Sequence, residues 1–231
     1  NQQSFSRNVS YFCDKFSVSS LRWQEPDSWY VDQELKEFFS SSPLEGGYTS
    51  TEHFLEPRDG LAVFMKNRSN WRMENWYRYL RVKHDVLIDE GKPIGGAWNF
   101  DKENRKTWRG EPKPDSTPRP KHDHSALWNE IIEAKVTTFG NPNAAAFQWP
   151  SNREESLVML NRFCGGDLKF FGDYQDAMSE KNQTLFHSLL SFSLNLKMIS
   201  PQEVVDAVVN VLADDHNNIC LLYTSPSPRD V

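Results

Sequence analysis

The stretch Leu185-Phe-His-Ser-Leu-Leu-Ser-Phe-Ser-Leu-Asn-Leu-Lys-Met-Ile-Ser-Pro201 carries two separate signals. Its end is a helix start. Ser200 can cap, Pro201 suits the first helical position, and Glu203 can return to the cap. Val204, Val205, Val208, Val211 and Leu212 then follow at helical spacing. In the earlier half, Ser188 and Ser191 are three residues apart, so on a helix their hydroxyls share a face. Such hydroxyls, with the free N–H groups of a helix start, suit a pyrophosphate. Serines at helix starts are also ordinary caps, and the residues alone leave both readings open.

Helical signals continue upstream of this stretch. Leu127, Ile131 and Ile132 fall on one helix, and Ser151 with Glu154 reads as a capping box before Leu157, Leu160 and Phe163. From Gly91 to Asp123 periodicity stops. Pro93, Gly95, Gly96, Gly110, Pro112, Pro114, Pro118 and Pro120 make this an extended interdomain linker, long enough that it should run over a surface and do a job there.

Before that stretch the pattern is mixed. Phe16 to Trp23 is expected as a strand, and a helix should start at Pro26, Asp27 and Ser28 and run through Leu35 and Phe39. Ser40 to Ser50 reads as a loop and Glu52 to Leu55 as a short strand. Leu61–Lys66 and Trp71–Ile88 read as helices. In the second, Met73, Trp76, Leu80 and Leu87 form one stripe, with Arg72, Arg78, Arg81 and Lys83 around the other side.

The expected order is therefore α/β, then linker, then all-α, in two domains of different class. The boundaries are 1–90 for the α/β part, 91–124 for the linker and 125–219 for the helical part. The tail Cys220-Leu-Leu-Tyr-Thr-Ser-Pro-Ser-Pro-Arg-Asp-Val231 does not continue the preceding helix. It reads as a translated sequencing adapter, the alternative being a natural Ser- and Pro-rich tail, and residues 220–231 are set aside. Asn1 to Arg7 is polar and opens without Met, so both ends are expected to be cut.

Composition narrows the class. With 38% hydrophobic and 13% aromatic residues the chain can build a packed core. No run approaches the roughly 20 apolar residues of a membrane span. Cys13, Cys164 and Cys220 have no metal-ligand spacing, which fits a reduced, cytoplasmic protein. Asn8, Asn67 and Asn182 open glycosylation-type tripeptides that are chance in such a compartment. Net charge is −6, yet Lys66 to Lys121 holds 14 Lys and Arg against 8 Asp and Glu. That basic segment reads either as a phosphate footprint or as a solvated helix face followed by a charged linker.

His187, Ser188, Leu190, Ser191, Leu194 and Ser200 together resemble the flavin-phosphate motif of photolyases and cryptochromes, Thr-Ser-x-Leu-Ser-Pro-x-Leu with a following Gly and Ser. His187 stands for the Thr, Phe192 for the Pro and Lys197 for the Gly. Three further segments are similar to the prokaryotic photolyase-related branch, whose characterised members repair (6-4) photoproducts. They are Phe171-Gly-Asp-Tyr-Gln-Asp-Ala-Met178, Gly95-Gly-Ala-Trp-Asn-Phe-Asp-Lys-Glu-Asn-Arg105 and Arg72-Met-Glu-Asn-Trp-Tyr-Arg78. In the second, Ala97 stands where Lys or Arg is more usual. The segments keep the branch's order from about Trp23 to Asp214.

The resemblance implies a partial Rossmann-like antenna domain, a linker, and part of an all-helical domain that binds FAD. Tyr174, His187, Ser188, Leu189, Leu190, Ser191 and Asn195 would line the FAD, the hydroxyls meeting its phosphates. Tyr174 has an alternative as a core tyrosine, Asp173 and Asp176 as surface charges or caps, and His187 as a helix-start histidine. The implied activity is light-driven electron transfer from FAD to a pyrimidine photoproduct in UV-damaged DNA, by a monomer, with Arg105 and Arg109 as candidate phosphate contacts. The resemblance also implies a 4Fe-4S cluster and a lumazine-type antenna chromophore in the full-length protein, with no catalytic or metal-binding residue in this chain. The alternatives are a cryptochrome-like light sensor and a helical nucleic-acid-binding module without a cofactor.

Overall fold

The computed structural model describes residues 4–69, 72–98, 105–116 and 119–214. Asn99 to Asn104 of the linker signature and the adapter-like tail lie outside the described residues. The chain divides into two compact units, residues 1–59 and 60–231. It is mostly helical, with few strands.

In the first unit, α1 (Phe5–Lys15) starts at Ser4, whose hydroxyl accepts from the Arg7 N–H, and buries Cys13. β1 (Ser20–Gln24), α2 (Trp29–Ser41) and β2 (Glu45–Thr49) follow, and the two strands pair in parallel from Ser20↔Glu45 to Gln24↔Thr49. The strand expected from Phe16 starts at Ser20, because Ser17 takes a left-handed φ of 51° at the end of α1. β2 lies inside the expected loop, where Gly46 and Gly47 imitate a turn. Gly46 is required by close approach, since a Cβ there would meet the Leu21 carbonyl oxygen at 1.9 Å. The strand expected at Glu52 to Leu55 does not form, and Glu52 has φ 55°.

α2 starts where the sequence places it and puts Asp32 in its first turn, where a carboxylate complements the helix dipole. Asp32 is only 4% exposed and pairs with Lys36 at 2.7 Å and Arg58 at 2.9 Å. These hydrogen bonds, Lys36 first, hold its carboxyl below the usual range. The Trp23 indole stacks on Phe39 at 4.0 Å and meets the edge of Tyr48 at 5.9 Å.

The second unit opens with α3 (Gly60–Met65) and α4 (Met73–Lys83), then the two-residue strands β3 (Ile88–Asp89) and β4 (Lys92–Pro93), which pair antiparallel. After the Gly- and Pro-rich stretch come α5 (Ser125–Glu133), a 3-10 turn at Ala144–Ala146, α6 (Arg153–Gly165), α7 (Leu168–Tyr174), α8 (Ser191–Asn195) and α9 (Pro201–Asp214). Two apolar clusters hold these helices. Leu87, Phe163, Leu168 and Val208 form one, and Met159, Leu160, Leu190 and Ile199 the other. Cys164 borders both.

α9 has the capping box read from its sequence. Ser200 Oγ accepts from the Glu203 N–H at 3.2 Å, and the Ser200 N–H donates to Glu203 Oε2 at 2.8 Å. The box expected at Ser151 and Glu154 shifts by one residue. Asn152 caps α6 by accepting from the Glu155 N–H at 2.9 Å, and the Ser151 N–H donates to Glu155 Oε2 at 2.8 Å. Both residue types can cap, and here the Ser151 hydroxyl is engaged by His124 Nε2 at 3.2 Å.

Arg81 does not lie on a solvated face. It is 5% exposed and donates to the carbonyls of Val86 at 3.1 Å and Leu87 at 2.7 Å, tying α4 to the turn that follows. Met73, expected on the apolar stripe, is exposed, while Leu87 is buried.

Candidate functional site

The residues singled out from the sequence gather along α7, α8 and the segment between them, all in the second unit. Tyr174 ends α7, half-buried, with its ring 5.1 Å from that of Phe186, which is 1% exposed. His187 is exposed, and its ring meets the edge of Phe171 at 6.2 Å. Leu190 is 2% exposed and belongs to the core cluster of α6 and α9, so its side chain anchors the segment. Ser191 and Asn195 are exposed on α8.

Ser188 does not share a helical face with Ser191. α8 starts only at Ser191, and Leu189 before it has φ 57°, in the left-handed region that breaks a helix. Beyond α8, Lys197 has φ 55°. Its N–H donates to the Leu194 carbonyl at 2.9 Å, and the Met198 N–H donates to Ser193 at 3.0 Å. This double closure is a Schellman end, normally made by glycine. Lys197, where the resemblance has a Gly, thus takes a glycine-like conformation.

His187, Ser188 and Leu189 line a small cleft together with Met159, Arg162, Phe163, Asp167 and Thr184. Its volume is about 10 Å³, room for a water and far below a typical ligand pocket of ~300 Å³ or more. Asp167 is 6% exposed, and burial pushes its carboxyl above the usual range. Its Oδ1 accepts from the Asp115 N–H at 2.9 Å. Arg162 spans to Asp115 through Nε–Oδ2 at 2.5 Å and Nη2 to its carbonyl at 2.8 Å.

The Gly- and Pro-rich stretch is therefore fastened to the helices. Lys106 adds a 2.7 Å ion pair with Asp173 of α7, and its N–H donates to the Asp173 carbonyl at 3.1 Å. His122 and Phe147 exchange backbone hydrogen bonds at 2.9 and 3.0 Å. Arg119 donates to Gln148 at 2.8 Å and lies 5.1 Å from the Trp149 ring centre. This docking was legible only as the expectation that so long a stretch runs over a surface; the partners Asp167 and Arg162 carried no signal.

Arg105 and Arg109 are exposed and have no ion pair with another described residue. Arg105 and Lys106 line an open cleft of about 360 Å³ with Trp108, Asp176 and Met178. The other cations of the basic segment are partly spent internally. Arg81 is buried, Arg78 pairs with Glu74 at 2.5 Å, and Lys113 pairs with Glu111 at 3.2 Å.

At the far end, Arg153 of α6 ties to the joint between α8 and α9. It donates to the Met198 carbonyl at 3.0 Å and forms a close ion pair with Glu203. Arg153 and the Ser200 N–H hold the Glu203 carboxyl at about 2. The sequence reading passes over Ser193, whose side chain is fully buried and whose Oγ has no hydrogen-bond partner among the described residues. Burial pushes the Cys164 thiol up, away from the reactive thiolate. Among the described residues no three His, Cys, Asp or Glu side chains cluster as metal ligands.

As chemistry, two hydroxyls, an amide and an imidazole can all donate to phosphate, while the Asp167 carboxyl lines the cleft beside His187 and Ser188. The 10 Å³ cleft itself cannot take a ring system.

The comparisons are more specific. The family described as "Deoxyribodipyrimidine photo-lyase-related protein" matches residues 1–149. A (6-4) photolyase of Agrobacterium fabrum is 31% identical over 212 residues, which are 90% of this chain and 41% of that protein. An uncharacterized protein of Acanthamoeba polyphaga mimivirus is 25% identical over 101 residues, 42% of this chain and 52% of the viral protein. The chain spans about half or less of these relatives. It belongs to the deoxyribodipyrimidine photo-lyase-related protein family. Among the described residues no helix is long and apolar enough to cross a membrane.

Proposed function

We propose that this chain is part of a FAD-containing photolyase that repairs UV pyrimidine photoproducts, of the (6-4) type, in DNA. The observation that carries this reading is the 31% identity to a (6-4) photolyase across 90% of the chain. Residues 1–90 contribute the later part of a Rossmann-like antenna domain, 91–124 the interdomain linker and 125–219 the first part of a helical FAD-binding domain.

Bound FAD supplies light-driven electron donation to the lesion. The chain's own part is to bind and orient. Tyr174, His187, Ser188, Leu189, Leu190, Ser191 and Asn195 would line the FAD, with the Ser188 and Ser191 hydroxyls at its phosphates and Leu190 anchoring the backbone between them. A damaged base is the easiest to extrude from the duplex, because its stacking is already compromised. The full-length protein carries a 4Fe-4S cluster and a lumazine-type antenna chromophore, acts as a monomer on UV-damaged DNA in the cytoplasm, and is a carbon–carbon lyase.

The test is to express the full-length protein, record its flavin absorbance, and follow repair of a (6-4)-lesion oligonucleotide under blue light. Flavin with light-dependent repair is the expected result. Flavin without repair overturns the enzyme reading in favour of a light sensor. A colourless protein that still binds DNA leaves the cofactor-free helical module.

Arg105 and Arg109 serve as contacts to DNA phosphates. With both replaced by Ala in the full-length protein, the slope of log affinity against log salt should flatten by roughly 2, about one per lost phosphate contact. An unchanged slope in filter-binding titrations removes them from the interface.

A further inference from the structure

Phe192 occupies the motif's Pro position, and its ring contacts are well defined. It stacks on Trp149 at 5.6 Å with an interplanar angle of 20°, and meets Phe147 edge-on at 5.8 Å. Both partners are themselves held. Phe147 is fixed by its two backbone hydrogen bonds with His122. Trp149 lies between Gln148, which accepts from Arg119, and the buried Pro150, with the Arg119 guanidinium 5.1 Å from its ring.

The segment around Phe192 needs such an external hold. α8 has five residues, too few for a helix to persist by its own hydrogen bonds. Leu189 just before it is in the left-handed region, which a branched side chain adopts only when its surroundings impose it. Leu190 and Leu194 pack into the cluster formed with α6 and α9. Residues two apart on a helix point to nearly opposite sides, so Phe192 pins the side that Leu190 and Leu194 leave. Ser191 lies between the two anchorages and stays exposed. A proline ring would fix this backbone by locking φ. Phe192 does so by ring stacking.

We propose that Phe192 is a positioning residue: its stack with Trp149 and Phe147 fixes the backbone that carries Ser188 and Ser191 and so orients their hydroxyls toward a ligand's phosphates. This rests on the flavin reading above. It also means that the docked stretch holding Arg119 and His122 acts on the phosphate-binding segment through two aromatic rings, without touching the ligand.

The experiment measures the FAD dissociation constant, by fluorescence of released flavin, and the unfolding midpoint of the apoprotein, in the full-length protein with Phe192→Ala and Phe192→Tyr. Phe192→Ala should bind FAD roughly tenfold more weakly, the scale of one lost aromatic pair. Phe192→Tyr keeps the ring and should restore wild-type affinity, with similar apoprotein midpoints throughout. Should Phe192→Ala not fold, Phe192→Leu keeps apolar bulk without a ring and carries the same expectation. Unchanged affinity in the ring-less variant overturns the proposal, as does equal loss in Phe192→Tyr, or a fall in affinity that only follows a fall in midpoint. A wild-type protein without flavin overturns the underlying reading and this one with it, whereas flavin retained in all variants overturns this one alone.

Discussion

In residues 1–59 the described side chains that are buried are Cys13, Asp32 and Leu35, whereas residues 60–231 bury two apolar clusters centred on α6 and α9. The first unit holds β1, α2 and β2 with a carboxylate shared by Lys36 and Arg58 and with the stack of Trp23 on Phe39. The second relies on removal of aliphatic surface from water, with polar links such as Asp115–Arg162 and Arg153–Glu203 fastening its edges. Removing one partner of a hydrogen-bonded charge strands the other, while removing one leucine opens a cavity. The two units should therefore fail under different insults.

The largest expected effect is in the second unit. Leu160 is 2% exposed, and Leu160→Ala should cost about 3 kcal/mol in urea unfolding. A loss below ~1 kcal/mol would mean that the cluster is not the unit's main support. Asp32→Asn comes next and should destabilise the first unit by about 2 kcal/mol, less than a fully buried pair because Lys36 and Arg58 are half exposed. Amide exchange should rise along α2 and leave α6 and α9 unchanged; faster exchange in both units would break the comparison.

Acid sharpens it further. The Asp32 carboxyl is lowered on folding, so its contribution is present above the ordinary value of 3.8 and is lost as pH falls through the lower folded value. Glu203 behaves likewise between its ordinary 4.5 and about 2, at one third side-chain exposure. Glu203→Gln should cost about 1 kcal/mol at neutral pH and nothing below pH ~2, in line with a helix cap. A wild-type unfolding curve that is flat from pH 5 to 2 would remove both groups from the stability account. The smallest effect is a gain: Lys197→Gly should stabilise the second unit by about 0.5–1 kcal/mol, since glycine takes φ 55° without strain.

Local chemistry was legible wherever a signal is confined to a few consecutive residues. The start of α2 and the Ser200–Glu203 box need only short-range hydrogen bonds and appear as read. Lys197 takes a glycine-like φ at the position where the resemblance has a Gly. Where two residues compete for one role, as Ser151 and Asn152 do for the cap of α6, the neighbouring His124 decided, and it is distant in sequence.

Sequence alone determined the mostly helical character of the later chain, the capping box of Ser200 and Glu203, and the family resemblance that the comparisons support. Tertiary structure decided which side chains face inward. It turned Arg81 to the carbonyls of Val86 and Leu87, put Leu190 in the core, separated Ser188 from the helix that carries Ser191, and docked Asp115 on Arg162 and Asp167. The reason is one of range. Caps, turns and motifs are written in contacts a few residues apart, while burial and ion pairing depend on partners brought together only when the chain packs.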